Sequence, residues 1–80
     1  MNKDTILKRM TEVFRDVLDN DSLVLERDTT ADDVEEWDSL SHINLIGAIE
    51  HEFNVKFDLV DIKPLKNIGE FTDLIQKKIS

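Results

Sequence analysis

The chain has no cysteine, one proline, two glycines and fewer basic than acidic residues. Each shortage removes a class of explanation. Without cysteine there is no disulfide and no thiolate zinc site to staple the fold, a composition compatible with a reducing cytoplasm. With no glycine-rich turn there is no Walker A loop and no dinucleotide fingerprint to cradle phosphates. No apolar run approaches the ~20 residues needed to span a bilayer. The opening Met1-Asn2-Lys3-Asp4-Thr5 has no apolar stretch of the kind a secretory leader carries. Ten basic residues against 18 acidic ones leave a formal charge of −8. Such a surface repels nucleic acid and anionic membranes and favours basic protein partners.

What is present fits one small domain over residues 1–80, 40% of them apolar, enough for one modest core. At this size burial and conformational entropy nearly cancel, leaving a stability of roughly 3–5 kcal/mol. A deep catalytic pocket is hard to build in so small a volume, which argues against an enzyme.

Along the chain, Ile6, Met10, Val13 and Val17 form a stripe with Leu7, Phe14 and Leu18 beside it. This predicts an amphipathic helix from Lys3 to Asp19, capped by Asn2 or Asp4. Asn20-Asp21-Ser22 breaks it. A long connection follows to Trp37, pinned to the core by Leu23, Leu25, Val34 and Trp37, with one helical turn started by Thr29-Thr30 over Ala31-Asp32-Asp33. A second helix is predicted from Ser39 to Phe53, ended by Asn54. Gly47 in its middle lowers helix propensity by up to ~1 kcal/mol, and either admits a close approach or is tolerated drift. Val55-Lys56-Phe57 reads as extended loop. Asp58 caps a short helix over Leu59, Val60, Asp61 and Ile62, which Pro64 limits. The last helix opens at Asn67, with Glu70 as capping-box partner. Ile68, Phe71, Leu74, Ile75 and Ile79 form its buried stripe, and Lys77 and Lys78 suit its negative C-terminal end. The prediction is all-α: a small four-helix bundle, three longer helices and one short, with a long loop between the first two.

The organising stretch is Trp37-Asp38-Ser39-Leu40-Ser41-His42-Ile43-Asn44-Leu45-Ile46. Asp38 is a good N-cap, and it places Ser39 at the first helical position on an exposed corner. Leu40, Ile43, Ile46, Ile49 and Phe53 recur at helical spacing and predict the buried face. Ser39 and His42, three residues apart beside Asp38, invite a hydrolase reading. No strand precedes the serine and no glycine flanks it, so there is no nucleophile elbow and no catalytic residue is assigned. His42 reads as a solvated polar residue, and His51, beside Glu50 and Glu52, as a surface one. Asp19 and Asp21 start a calcium-loop spacing, but Leu23 stands where the third ligand belongs. Asp28, Thr30 and Asp32 lack the turn glycine and the closing glutamate, so no metal site is expected. What remains is a serine for another protein to modify, at a helix N-terminus that favours phosphate.

Asp38-Ser39-Leu40, followed by Ile43, Leu45, Ile46, Ile49, Glu50 and Phe53, resembles the acyl carrier protein family over nearly the whole chain. The resemblance implies that Ser39 takes a 4′-phosphopantetheine arm from coenzyme A, transferred by a separate basic phosphopantetheinyl transferase. The arm's thiol then holds an acyl group as a thioester for acyl-loading and acyl-processing enzymes. The protein itself catalyses nothing. Ser22, Ser41 and Ser80 lack the Asp-cap context, Ser22 because the Asp21 before it belongs to a helix-breaking stretch and not to a helix start, so Ser39 alone is expected to accept the arm.

Fatty-acid carriers of this family usually show acid two positions after the serine and near the fifth, where this chain has Ser41 and Asn44. Its acid is crowded ahead of the serine, at Asp32, Asp33, Glu35 and Glu36. Trp37, Ser41 and His42 look more like specialised stand-alone carriers of accessory pathways. Partner docking is expected at Asp38, Leu40, Ile43, Asn44 and Glu50, with core packing weighed against docking for Leu40 and Ile43. An apolar path for the cargo is expected along Ile46, Ile49, Val60, Ile62 and Leu65. Two rivals stay open: an aminoacyl or peptidyl carrier, and an acidic helical adaptor without cofactor. The reading is of a monomeric cytoplasmic protein that binds neither nucleic acid nor membrane.

Overall fold

The structure is a computed structural model and describes residues 1–79. The helices are α1 (Lys3–Val17), α2 (Ser39–Phe53), α3 (Leu59–Ile62) and α4 (Ile68–Ile79), with a single 3-10 turn at Ala31–Asp33. Among the described residues there is no strand. α1 packs against both α2 and α4.

Local chemistry sets the helix ends. Asn2 is the cap of α1, its Oδ1 accepting from the Thr5 N–H at 2.8 Å. The helix stops at Val17 rather than Asp19, because Asp19 turns left-handed with φ 53°. The Asn20 N–H then returns to the Arg15 carbonyl at 3.0 Å, a C-terminal closure that satisfies an otherwise orphaned acceptor. Asn54 ends α2 in the same way, with φ 55° and the Val55 N–H on the Glu50 carbonyl at 3.0 Å. Aspartate and asparagine are the non-glycine residues that tolerate this conformation best.

The core differs from the predicted stripes in all three longer helices, on α4 because Leu74 and Ile79 are only half-buried. On α1 it runs along Ile6, Met10, Phe14 and Leu18, with Val13 and Val17 half-buried at its flanks. On α2 it runs along Leu45, Ile49 and Phe53, while Leu40 and Ile43, which periodicity put on the buried face, stand 73% and 69% exposed, for Leu40 the exposure expected of it as an apolar docking contact. The reason is that α2 is apolar on several sides at once. The side carrying Leu45, Ile49 and Phe53 is buried, and Leu40, Ile43 and Gly47 lie on exposed sides. α4 contributes Ile68, Phe71, Ile75 and the unforeseen Thr72, whose hydroxyl donates to the Ile68 carbonyl at 2.8 Å. Leu25 and Val34 of the long loop complete the core.

That loop is packed, not free. The Gly69 N–H donates to the Arg27 carbonyl at 2.7 Å and the Ile68 N–H to the Thr29 carbonyl at 2.9 Å. A Cβ on Gly69 would lie 2.9 Å from the Arg27 oxygen, so only glycine allows this approach. Arg15 Nε donates to the Leu23 carbonyl at 2.7 Å. Asp73 pairs with both Lys3, at 3.0 Å, and Arg27, at 3.2 Å.

The second half of the chain is held by carboxylates. Glu50 accepts from the Phe57 N–H at 2.8 Å and fixes the extended link between α2 and α3. Asp61 accepts from the Asp58 N–H at 3.1 Å and pairs with Lys78 at 2.8 Å. Lys78 thus ties α3 to α4 from the last turn of α4, where its charge suits the C-terminal end as expected. At α4, Asn67 Oδ1 accepts from the Glu70 N–H at 2.9 Å. Glu70 reaches back one residue further than a capping box does, to the Lys66 N–H at 2.6 Å.

Candidate functional site

Ser39 is the first residue of α2 and is exposed. Asp38 before it is extended, and its Oδ1 accepts from the Ser41 N–H at 2.8 Å. The His42 N–H closes the first helical bond onto the Asp38 carbonyl at 2.8 Å. The backbone N–H of Ser41, aided by its hydroxyl, holds the Asp38 carboxyl below its ordinary range. The aspartate is thus committed to the cap as an anion, leaving the serine hydroxyl at the helix mouth.

An open cleft of about 360 Å³ adjoins Ser39, lined also by Ala31, Trp37, Asp38 and His42. Trp37 stands edge-on against the core ring of Phe14, centroids 5.1 Å apart at 90°. Its indole Nε1 donates to His42 Nδ1 at 3.1 Å. The two ring planes differ by 20° with centroids 6.0 Å apart, so the bond runs edge to edge. Indole N–H only donates, so Nδ1 is the acceptor and the neutral imidazole carries its proton on Nε2. His42 is therefore half-buried and bonded, not the solvated side chain expected from its helical position. No local pattern signals this contact, because Trp37 lies outside α2. It also leaves no reason to read His42 as a base for Ser39, since its Nδ1 is taken.

The expected docking residues divide. Leu40, Ile43 and Asn44 are exposed on α2. Glu50 is half-buried, with its carboxylate spent on the Phe57 N–H. Gly47 shares the exposed side of α2, and a Cβ there would meet nothing within 4 Å, so no segment of this chain closes on it. Leu59 on α3 is 74% exposed, an apolar surface residue that sequence periodicity could not place in so short a helix. Of the expected path residues, Ile49 is fully buried, and Ile46, Ile62 and Leu65 are half-buried. Val60 is 77% exposed, a correction to its expected place facing the bundle. Asp33 accepts from the Thr30 N–H at 3.0 Å and Glu36 from Asn20 Nδ2 at 3.0 Å, so part of the acid before the serine shapes the loop. Among the described residues no cluster of three or more acidic or histidine side chains could hold a metal, and no helix is long and apolar enough to cross a membrane.

The residues present fit a covalently attached arm. The hydroxyl is exposed, its neighbouring carboxylate is tied back by the cap, and the adjoining cleft leaves room beside it. Comparison with known proteins agrees. The family described as phosphopantetheine attachment site matches residues 8–75. The chain is 29% identical over 80 residues to the acyl carrier protein of Petrotoga mobilis, covering 100% of this chain and 94% of that one. It superposes with TM-score 0.87 on the solution structure of holo acyl carrier protein from Geobacter metallireducens, at 47% identity, covering 92% of this chain and 85% of that one. The chain therefore belongs to the phosphopantetheine-attachment family, whose acyl carrier members it resembles from end to end.

Proposed function

We propose that Ser39 is the attachment residue and that residues 1–80 act as a single acyl carrier domain. The observation that carries this is the exposed hydroxyl at the first position of α2, directly after the Asp38 cap and beside an open cleft. In the transfer, Ser39 Oγ forms a bond to the pantetheine-side phosphorus of coenzyme A. The pyrophosphate bridge breaks, the adenosine bisphosphate half leaves, and the hydroxyl proton passes to the transferase. Once attached, the arm's terminal thiol holds the acyl cargo as a thioester. Asp38 fixes where the hydroxyl stands, and the α2 N-terminus offers a favourable field for the new phosphodiester.

A phosphopantetheinyl transferase, then acyl-loading and acyl-processing enzymes, would meet the exposed Leu40, Ile43 and Asn44. The charge of −8 would steer basic surfaces toward them. In this reading the domain is a monomeric cytoplasmic carrier. Neutral Ser41 and Asn44 favour, as second reading, an aminoacyl or peptidyl cargo. Parallel loading of the holo protein with acyl and aminoacyl groups decides between them.

Intact mass after coexpression with a transferase tests the site. The native chain gains the mass of the arm, and Ser39→Ala does not. The other serines are placed differently. Ser22 donates its hydroxyl to Asn20 Oδ1 at 3.0 Å, Ser41 is half-buried, and Ser80 lies outside the described residues. An arm found on Ser39→Ala would refute the assignment.

A further inference from the structure

Two recesses share three walls, two of them a hydrogen-bonded pair of rings. The outer is the cleft beside Ser39. The inner is a smaller recess of about 90 Å³ lined further by Leu65, Asn67, the buried Phe71 and, at its rim, the exposed Lys66. Both share Ala31, Trp37 and His42 as walls. The bonded rings of Trp37 and His42 thus stand between the cleft at Ser39 and the recess beside Phe71.

The two leaves of this wall are held unequally. Trp37 is packed edge-on against the fully buried Phe14, so the core fixes it. It sits at the end of the loop that Leu25 and Val34 anchor. His42 is fixed by its helix and by the single bond to the indole, and it faces the outer cleft. Rotating the imidazole away breaks that bond and leaves the indole N–H without its acceptor. A cargo with enough apolar surface offsets this loss by filling the inner recess, whereas a short or polar one gains nothing by entering.

We propose that the Trp37–His42 pair is a cargo gate: short groups remain outside it, and a longer apolar chain reaches the inner recess only by parting the two rings. The proposal rests on the reading of Ser39 as the attachment residue. It makes Trp37 and His42 specificity-determining residues of the carrier and assigns the route to the α2 entrance and the start of α4. Val60, outward on α3, has no part in this route.

The test uses the whole native chain. Holo protein is prepared and its arm on Ser39 verified by mass. It is then loaded with acetyl, butyryl, hexanoyl and octanoyl groups. Trp37 is the only tryptophan, so one indole N–H resonance reports on the gate. Acetyl should leave that resonance where the holo protein has it. Octanoyl should move it upfield, as loss of the hydrogen bond requires, and should shift the Leu65 and Phe71 signals with it. His42→Ala, in which the gate has lost one leaf, should shift Leu65 and Phe71 at a shorter chain than the native protein does. A His42→Gln variant, which retains an acceptor, should return the threshold toward the native length. An octanoyl protein with the indole resonance unmoved overturns the gate, whether or not the inner signals shift. An unchanged length threshold in both variants also overturns it. Failure to load Ser39 at all refutes the attachment reading instead, and the gate falls with it.

Discussion

The two glycines offer the sharpest test of the packing described above, because one substitution made at each should have opposite signs. Gly69 lies in the first turn of α4, and a methyl there would stand 2.9 Å from the Arg27 carbonyl oxygen and 3.2 Å from the Arg27 Cβ. The first of these contacts is backbone, held by the Gly69 N–H itself at 2.7 Å, so it cannot swing aside as a flexible side chain would. Overpacking of this kind costs about 1–3 kcal/mol. The better helix propensity of alanine returns up to ~1 kcal/mol. With that return taken in full, Gly69→Ala should destabilise by up to about 2 kcal/mol. At Gly47 a methyl meets nothing within 4 Å, on the exposed side of a continuous helix. Only the propensity gain remains, so Gly47→Ala should stabilise by about 0.5–1 kcal/mol. In a domain this small each kcal/mol moves the melting temperature by about 4–8 °C, which makes the two shifts separable by thermal circular dichroism. Equal stabilisation by both substitutions would refute the close approach of the long loop to α4.

Leu40→Ala should change stability by no more than about 0.5 kcal/mol, since the side chain is exposed, while slowing transfer of the arm. Leu45→Ala, in the core, should cost about 2–5 kcal/mol. Equal costs in urea titration would contradict the placement of α2. Acid should also act through named carboxyls. Lys78, then the Asp58 N–H, lowers Asp61, and Lys3, then Arg27, lowers Asp73. Groups with lowered folded values contribute stability above an unfolded value of ~3.9 and lose it as pH falls through the folded ones. Asp73→Asn should thus flatten part of the acid limb of the urea midpoint against pH. A limb identical to the native one would refute the Asp73 pairings. Lys78 is raised, chiefly by Asp61, so its share is complete below ~10.4 and fades as pH climbs through its folded value.

Much of this molecule was legible in its sequence where the signal is local. The N-cap Asp38, the bounds of α2, the turn at Ala31–Asp33 and the short α3 each depend on a few adjacent residues. The buried face of α2 was not. Leu40, Ile43, Leu45, Ile46 and Ile49 surround most of that helix, so periodicity alone does not choose a side. Thr72 was passed over because its polarity hides a hydroxyl satisfied within its own helix. At the site, the exposed serine followed from its cap. The Trp37–His42 bond did not, since it depends on where the long loop delivers the indole. Gly69 as the seat of that loop also needed the fold, because its partner Arg27 is remote in sequence.

Asp73 carries one more implication, for the order in which the molecule is made. It binds Lys3 from the start of the chain and Arg27 from the long loop, and neighbouring Ile68 and Gly69 take the Thr29 and Arg27 carbonyls. All four contacts wait for the last helix to be synthesised. Without α4 the loop leading to Trp37 keeps its ties to α1 at Arg15 and Phe14 but loses its backbone seat at Ile68 and Gly69. The Asp38 cap and the contacts of Trp37 with Phe14 and His42 need no residue of α4, whereas the backbone seat of the long loop does. The long loop is thereby tied to the seating of α4, and a chain cut before Ile68 would leave the Thr29 and Arg27 carbonyls without these donors.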